Sequence, residues 1–210
     1  MRGPKVIPHR RGLALRRLAF LAAALVAGGL LNRYHPLPSM ALRDVEDIYN
    51  TGRLKRVAQV EGPRSHERLW LAGNESVVVL CSPKWGYLRG WTAEEGRVSC
   101  AKAGKGRGLI VGQWEFQGTI YAYGRLTDPA AVSAQIFLRY GDRVEPGPEI
   151  GPEDWVRREE GRYFLCPVAN MPDRGWRDQR PEPEIVTYGG NGTELGRWGV
   201  AWGGMYYSIP

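Results

Sequence analysis

Histidine and cysteine are both scarce in this chain, with three of each in 210 residues. His9 and His35 flank an apolar segment, so His66 stands alone in the remainder. That scarcity removes most metal and nucleophile chemistry. His66-Glu67 opens like the zinc helix H-E-x-x-H, but residue 70 is Trp, and neither a C-x-x-C pair nor a Cys/His cluster occurs. No metal and no cofactor are therefore expected. A G-x-S-x-G elbow is also missing, and a serine triad would have to use His66, in a polar turn-rich stretch. Gly104-Lys-Gly-Arg-Gly108 lacks both the G-x-x-x-x-G-K-[ST] order and a following helix to hold a phosphate, so it reads as a hairpin loop. No catalytic residue follows from any of these patterns.

A hydrophobic run of full membrane-spanning length is missing as well. Leu18–Leu31 is apolar over 14 residues, against the roughly 20 that cross a bilayer comfortably. Six basic residues precede or open it (Arg2, Lys5, Arg10, Arg11, Arg16, Arg17), with no Asp or Glu before residue 32. A basic head (1–17) before an apolar segment (18–34) is the pattern of a membrane address. Two outcomes fit it. If Arg16, Arg17 and Arg33 snorkel, the segment is an uncleaved signal-anchor, single-pass with its N-terminus inside. If a peptidase cuts after Ala24, Ala27 or Gly28, the body is secreted.

Net positive charge is almost missing from the rest. The chain carries +7 overall, but beyond the head 23 basic side chains face 22 acidic ones. Nucleic-acid affinity depends on Lys and Arg neutralising phosphates, so a near-neutral body argues against such a partner. Outside the cytoplasm a disulfide becomes possible, with Cys81 and Cys100 the local pair and Cys166 left over; buried free thiols are the alternative.

What the sequence does contain is β pattern. Ser39 reads as the cap of one short helix, whose Leu42, Val45, Ile48 and Tyr49 recur at helical spacing before Asn50-Thr51-Gly52 ends it. From Arg56 onward short runs of Val, Ile, Tyr, Phe and Trp alternate with Gly, Pro, Asn and Asp turns, which predicts antiparallel sheets. Gly73-Asn74 and Asn191-Gly192 mark hairpins. Along 114–124 the even positions Trp114, Phe116, Ile120 and Ala122 predict one buried face and the odd ones a wetter face. Val132, Ala134, Ile136 and Leu138 predict an inward face, and Trp198, Val200, Trp202 and Tyr206 share a parity, with Gly203-Gly204 as a bulge. Residues 145–152 and 171–183 read as long polar loops.

The stretch Ile120-Tyr-Ala-Tyr-Gly-Arg-Leu-Thr-Asp-Pro129, followed by 132–138, Gly161-Arg-Tyr-Phe-Leu165, Pro183–Tyr188 and Asn191–Leu195, resembles the strand rhythm of small bacterial immunoglobulin-like β-sandwich modules. In layout the chain resembles membrane-tethered bacterial surface proteins. The resemblance implies a mainly β fold: a membrane helix and one soluble helix, a helix-plus-β region over 35–117, and an immunoglobulin-like sandwich over 118–210. It carries no chemistry.

Eight tryptophans are the least ordinary feature. Flat amphipathic rings serve interfaces and sugar faces, yet a two-sheet core also needs them. Trp176 with Arg174 and Arg177, and Trp85 with Trp91, are the candidate binding residues. The sequence thus predicts a non-catalytic extracytoplasmic binding or structural module at the cell membrane, meeting an envelope protein or glycan. The alternative is a carbohydrate-active hydrolase using a carboxylate pair such as Glu94-Glu95, Glu153-Asp154 or Glu159-Glu160.

Overall fold

A computed structural model describes residues 9–31, 34–61, 67–87, 89–93, 97–102, 108–170, 181–200 and 206–208. Two helices come first: α1 (His9–Leu31) and, after a 3-10 turn at Pro38–Met40, α2 (Ala41–Tyr49). The first strands are β1 (Lys55–Glu61), β2 (Arg68–Gly73), β3 (Val77–Cys81), β4 (Lys84–Gly86), β5 (Gly90–Thr92) and β6 (Val98–Lys102). Then follow β7 (Leu109–Phe116), β8 (Thr119–Leu126), β9 (Ala131–Tyr140), β10 (Arg143–Ile150) and β11 (Val156–Arg158). The last are β12 (Gly161–Asn170), β13 (Glu182–Gly189), β14 (Glu194–Val200) and β15 (Tyr206–Ser208). The fold is mainly β, and every pairing between strands is antiparallel.

The chain divides into two compact units: Met1–Ala41 with Lys84–Thr92, and Leu42–Pro83 with Ala93–Pro210. Among the described residues the larger unit holds three sheets, in the orders β1-β2-β3-β6, β7-β8-β12-β11 and β10-β9-β13-β14-β15. The middle sheet serves two cores. On one face Leu109, Val111, Ile120, Ala122, Leu126 and Phe164 meet Ala134, Ile136, Leu138 and Ile185 of the β9–β13 sheet. On the other, Ile110, Trp114, Phe116, Tyr121, Tyr123 and Tyr163 meet Val57, Leu69, Leu71, Val78 and Leu80 of the first sheet.

A two-residue turn explains how β7 and β8 supply both cores. Gln117 and Gly118 have φ of 52° and 79°, the left-handed pair of a tight hairpin. Phe116 therefore pairs with Thr119 and Trp114 with Tyr121, which joins even positions of β7 to odd positions of β8. The single-parity face expected along 114–124 is overturned: Trp114 and Phe116 share a core with Tyr121 and Tyr123, while Ile120 and Ala122 lie in the opposite one. Neither face is wet. Residue 117 is also this turn, so the expected border at 117/118 falls inside one hairpin.

The core between the first and middle sheets is closed along its margins. Ser99 of β6 donates its hydroxyl to the Gln113 carbonyl of β7 at 3.1 Å, and Arg158 of β11 donates to the Val57 carbonyl of β1 at 2.7 Å. Val57 is the extra residue of a β-bulge between Arg56 and Ala58. Other arginines staple turns to the middle sheet. Buried Arg125 donates to the carbonyls of Asn74 and Glu75 in the β2–β3 turn, and Arg162 to those of Ala131 and Asp128. Asn74, placed in a turn by its sequence, holds that turn itself: its side-chain Oδ1 accepts from the Ser76 and Val77 amides, and its side-chain Nδ2 donates to the Thr51 carbonyl at 2.8 Å.

Several local expectations change. Ser39 lies inside the 3-10 turn rather than capping α2, and Leu37 precedes that turn without a side-chain cap. Leu42 and Val45 are buried as the helical spacing predicts, but Ile48 is exposed. Val132 is exposed too, because a register shift between Tyr188 and Gly189 pairs Ser133 and then Ala131, skipping it. The proline-rich 145–152 stretch is mostly strand β10. It is an edge strand, so Pro146 and Pro148 cost no ladder donor that a second neighbour would need. Gln135 reaches its bulge, donating to the Gly147 carbonyl at 2.6 Å. Asn191-Gly192 forms the predicted turn, with Gly192 at φ 77°. Trp202 and Gly203-Gly204 lie outside the described residues; Val200 pairs with Tyr206 between the antiparallel strands β14 and β15.

Candidate functional site

In the smaller unit, helix α1 runs 23 residues, longer than its apolar run because the basic head joins it. Among the described residues no helix is long and apolar enough to cross a membrane. Its described large apolar side chains are nonetheless uncovered: Leu15, Leu18, Phe20, Leu21 and Val26 are between 60 and 76% exposed. At about 100° per residue these positions surround the whole helix instead of lining one stripe.

Beyond the helix, the His35-Pro36-Leu37-Pro38 exit pairs with a hairpin. β4 and β5 are antiparallel, with Trp85 opposite Trp91 and Gly86 opposite Gly90. His35 bridges Gly90 in parallel. The His35 amide donates to the Arg89 carbonyl and the Trp91 amide to the His35 carbonyl, both at 2.8 Å. The His35 ring nitrogen Nδ1 lies 3.2 Å from the Trp91 carbonyl, and the residue is buried. Glycine is required at 90 for two reasons. Its φ is 70°, and a Cβ there would stand 2.2 Å from the His35 carbonyl oxygen.

This clamp leaves the hairpin tip outside. Trp85 is 42% exposed and Tyr87 is 89% exposed, their rings edge-on with centroids 4.9 Å apart. Trp91 is half-buried. Lys84 and Arg89 put two cations into the same nine residues. Apart from Phe20 of α1, no other described aromatic is exposed. Of the candidate binding residues, then, Trp85 and Trp91 come together as cross-strand neighbours; Trp176, Arg174 and Arg177 lie outside the described residues, as do His66 and most of the 104–108 loop. The His35 clamp was not legible in the sequence, because two of its three contacts are main-chain.

A second polar cluster crosses the β9–β13–β14 sheet. Glu184 is only 2% exposed and is gripped by Arg139 from β9 and, at 3.6 Å, by Arg197 from β14. Arg197 also holds Glu194 at 2.9 Å and lies 5.6 Å from the Phe137 ring centre. The acidic pair Glu194 and Glu184 raises the Arg197 guanidinium above its ordinary range, the Glu194 hydrogen bond most of all. Of the three candidate carboxylate pairs, Glu94-Glu95 lies outside the described residues and the other two sit in turns: Asp154 accepts the Gly151 amide at 2.9 Å, and Glu160 accepts Lys55 at 3.3 Å.

Cys81, Cys100 and Cys166 are free thiols. The β3–β6 register sets Cys81 opposite Val98 and Cys100 opposite Val79, so the two are diagonal neighbours and not partners. Diagonal positions are about 7–8 Å apart, beyond the usual span of a disulfide. Burial pushes the Cys81 thiol up to about 12, and burial with the Asp154 carboxylate does the same for Cys166. Among the described residues no group of His, Cys, Asp and Glu could hold a metal ion. No protein-family model, no curated protein and no solved structure matches this chain.

Proposed function

We propose that this is an envelope protein held at a membrane by α1, whose β body lies outside the cytoplasm and works as a non-catalytic binding or structural module. The exposure of α1 carries the reading. A helix apolar all round belongs either in a protein core or in lipid, and this one exposes its Leu, Phe and Val side chains. The apolar run of Leu18–Leu31 covers about 21 Å at 1.5 Å per residue, so Arg16 and Arg17 must snorkel to the near interface and the bilayer thin locally. Basic residues at the amino end favour an N-terminus inside.

For the body, strand order supports an immunoglobulin-like sandwich. The orders β7-β8-β12-β11 and β10-β9-β13-β14 correspond to the A-B-E-D and C′-C-F-G orders of that fold, and the chain changes sheet at the same three connections. The β1-β2-β3-β6 sheet is an addition, covering the outer face of the A-B-E-D sheet. Such sandwiches present surfaces and loops more often than they enclose reactions, which favours binding.

Expression of the full chain beside a version starting at residue 35, followed by carbonate extraction of membranes, tests the proposal. The full chain should stay in the pellet and the shortened chain should leave it. A full chain that extracts completely, or a body left accessible to protease only from the cytoplasmic side, refutes it.

A further inference from the structure

We infer that the β4–β5 hairpin is a second membrane contact, with Trp85 and Tyr87 seated in the headgroup layer where the chain leaves α1. This rests on the reading that α1 lies in the bilayer. Three observations lead to it.

The first is reach. His35 is four residues past Leu31, the last residue of α1, so chain length limits their separation to about 14 Å at 3.3–3.6 Å per residue. The hairpin is fixed to His35 by two main-chain hydrogen bonds of 2.8 Å, so it cannot move far from the helix end. The interfacial layer on each side of the hydrocarbon is about 5–8 Å deep. A hairpin so tethered stays within reach of that layer.

The second is chemistry. Trp and Tyr concentrate at membrane interfaces because an apolar ring carries one polar handle, and Lys and Arg beside them meet lipid phosphates. Lys84, Trp85, Tyr87, Arg89 and Trp91 place all four residue types within one short hairpin. The third is distribution. The described aromatic side chains of the larger unit are buried or half-buried, and the exposed ones fall on α1 and this hairpin. Gly90 permits the close approach of His35 that holds the hairpin at the exit of α1.

The full chain reconstituted in phosphatidylcholine–phosphatidylglycerol vesicles provides the test, using lipids brominated either near the headgroup or deep in the acyl chain. Shallow bromines should quench part of the tryptophan emission, and Trp85→Phe should lose that part. Gly90→Ala, which unlatches the hairpin without touching its rings, should lose it too. Flotation of the same vesicles separates the two readings. Protein that floats while Trp85→Phe leaves shallow quenching unchanged overturns the hairpin contact alone, and assigns the tip to a protein or glycan partner. Protein that fails to float overturns the anchoring on which this inference rests.

Discussion

Gly112 faces the ring of Tyr123 across the β7–β8 pair, and filling that space should destabilise the body in a way that depends on the ring itself. An added Cβ would stand 2.5 Å from both the ring carbon Cζ and the hydroxyl oxygen of Tyr123. Ordinary carbon contacts lie near 3.5–4.0 Å. Tyr123 is fully buried, so its ring has nowhere to swing. Its hydroxyl stands 2.7 Å from that of Ser99, which gives its own proton to the Gln113 carbonyl; Tyr123 is therefore the donor. Gly112→Ala should cost about 1–3 kcal/mol in overpacking and about 1 kcal/mol for the displaced hydrogen bond. That sum is a large share of a typical domain stability of about 5–15 kcal/mol. Urea unfolding of the full chain in mild detergent, followed by tryptophan fluorescence, measures it. A double-mutant cycle isolates the cause. Tyr123→Leu removes the atoms that the Cβ would strike, so Gly112→Ala in that background should cost almost nothing, leaving a coupling of about 2–4 kcal/mol. Equal cost in both backgrounds would refute the argument, and would point to strand spacing in place of the ring.

Two further outcomes follow from buried groups. Because burial raises the Cys81 and Cys166 thiols to about 12, the folded protein holds protons there that an unfolded chain releases nearer pH 9. The stabilisation is complete below about pH 9 and is lost as pH rises towards about 12, with Tyr123 shifted in the same direction. The urea midpoint should fall across that window, and thiol labelling at neutral pH should be slow until denaturant is added; fast labelling of all three cysteines in the folded chain contradicts it. Glu184→Gln leaves Arg139 and Arg197 facing each other without their shared carboxylate, so unfolding stability should drop by about 1–3 kcal/mol. An unchanged midpoint would mean that solvent already screens the pair.

Much of the local structure was legible from residue order. Val77–Leu80 read as a strand because β-branched residues fill it, and Gly73-Asn74 and Asn191-Gly192 read as turns because their residues accept left-handed or side-chain-capped backbone. The strand errors share one physical origin. Period-2 reasoning assumes an unbroken strand, and the turn at Gln117-Gly118, the bulge at Val132 and the edge position of β10 each depend on a partner strand that the pattern does not name. The candidate site was half legible: Trp85 and Trp91 were identifiable by type, but the His35 latch that holds their hairpin is a long-range main-chain contact.

By itself the sequence determined the β class, the hairpin turns, the near-neutral body and the basic, apolar amino-terminal segment, because propensity, turn chemistry and charge act between near neighbours. Only tertiary structure decided that one sheet is shared by two cores, that Glu184 is buried between arginines, and that Trp85 and Tyr87 are exposed on a hairpin latched to His35. Those outcomes depend on which strands meet, and strand pairing is settled by packing across distances that local pattern does not encode.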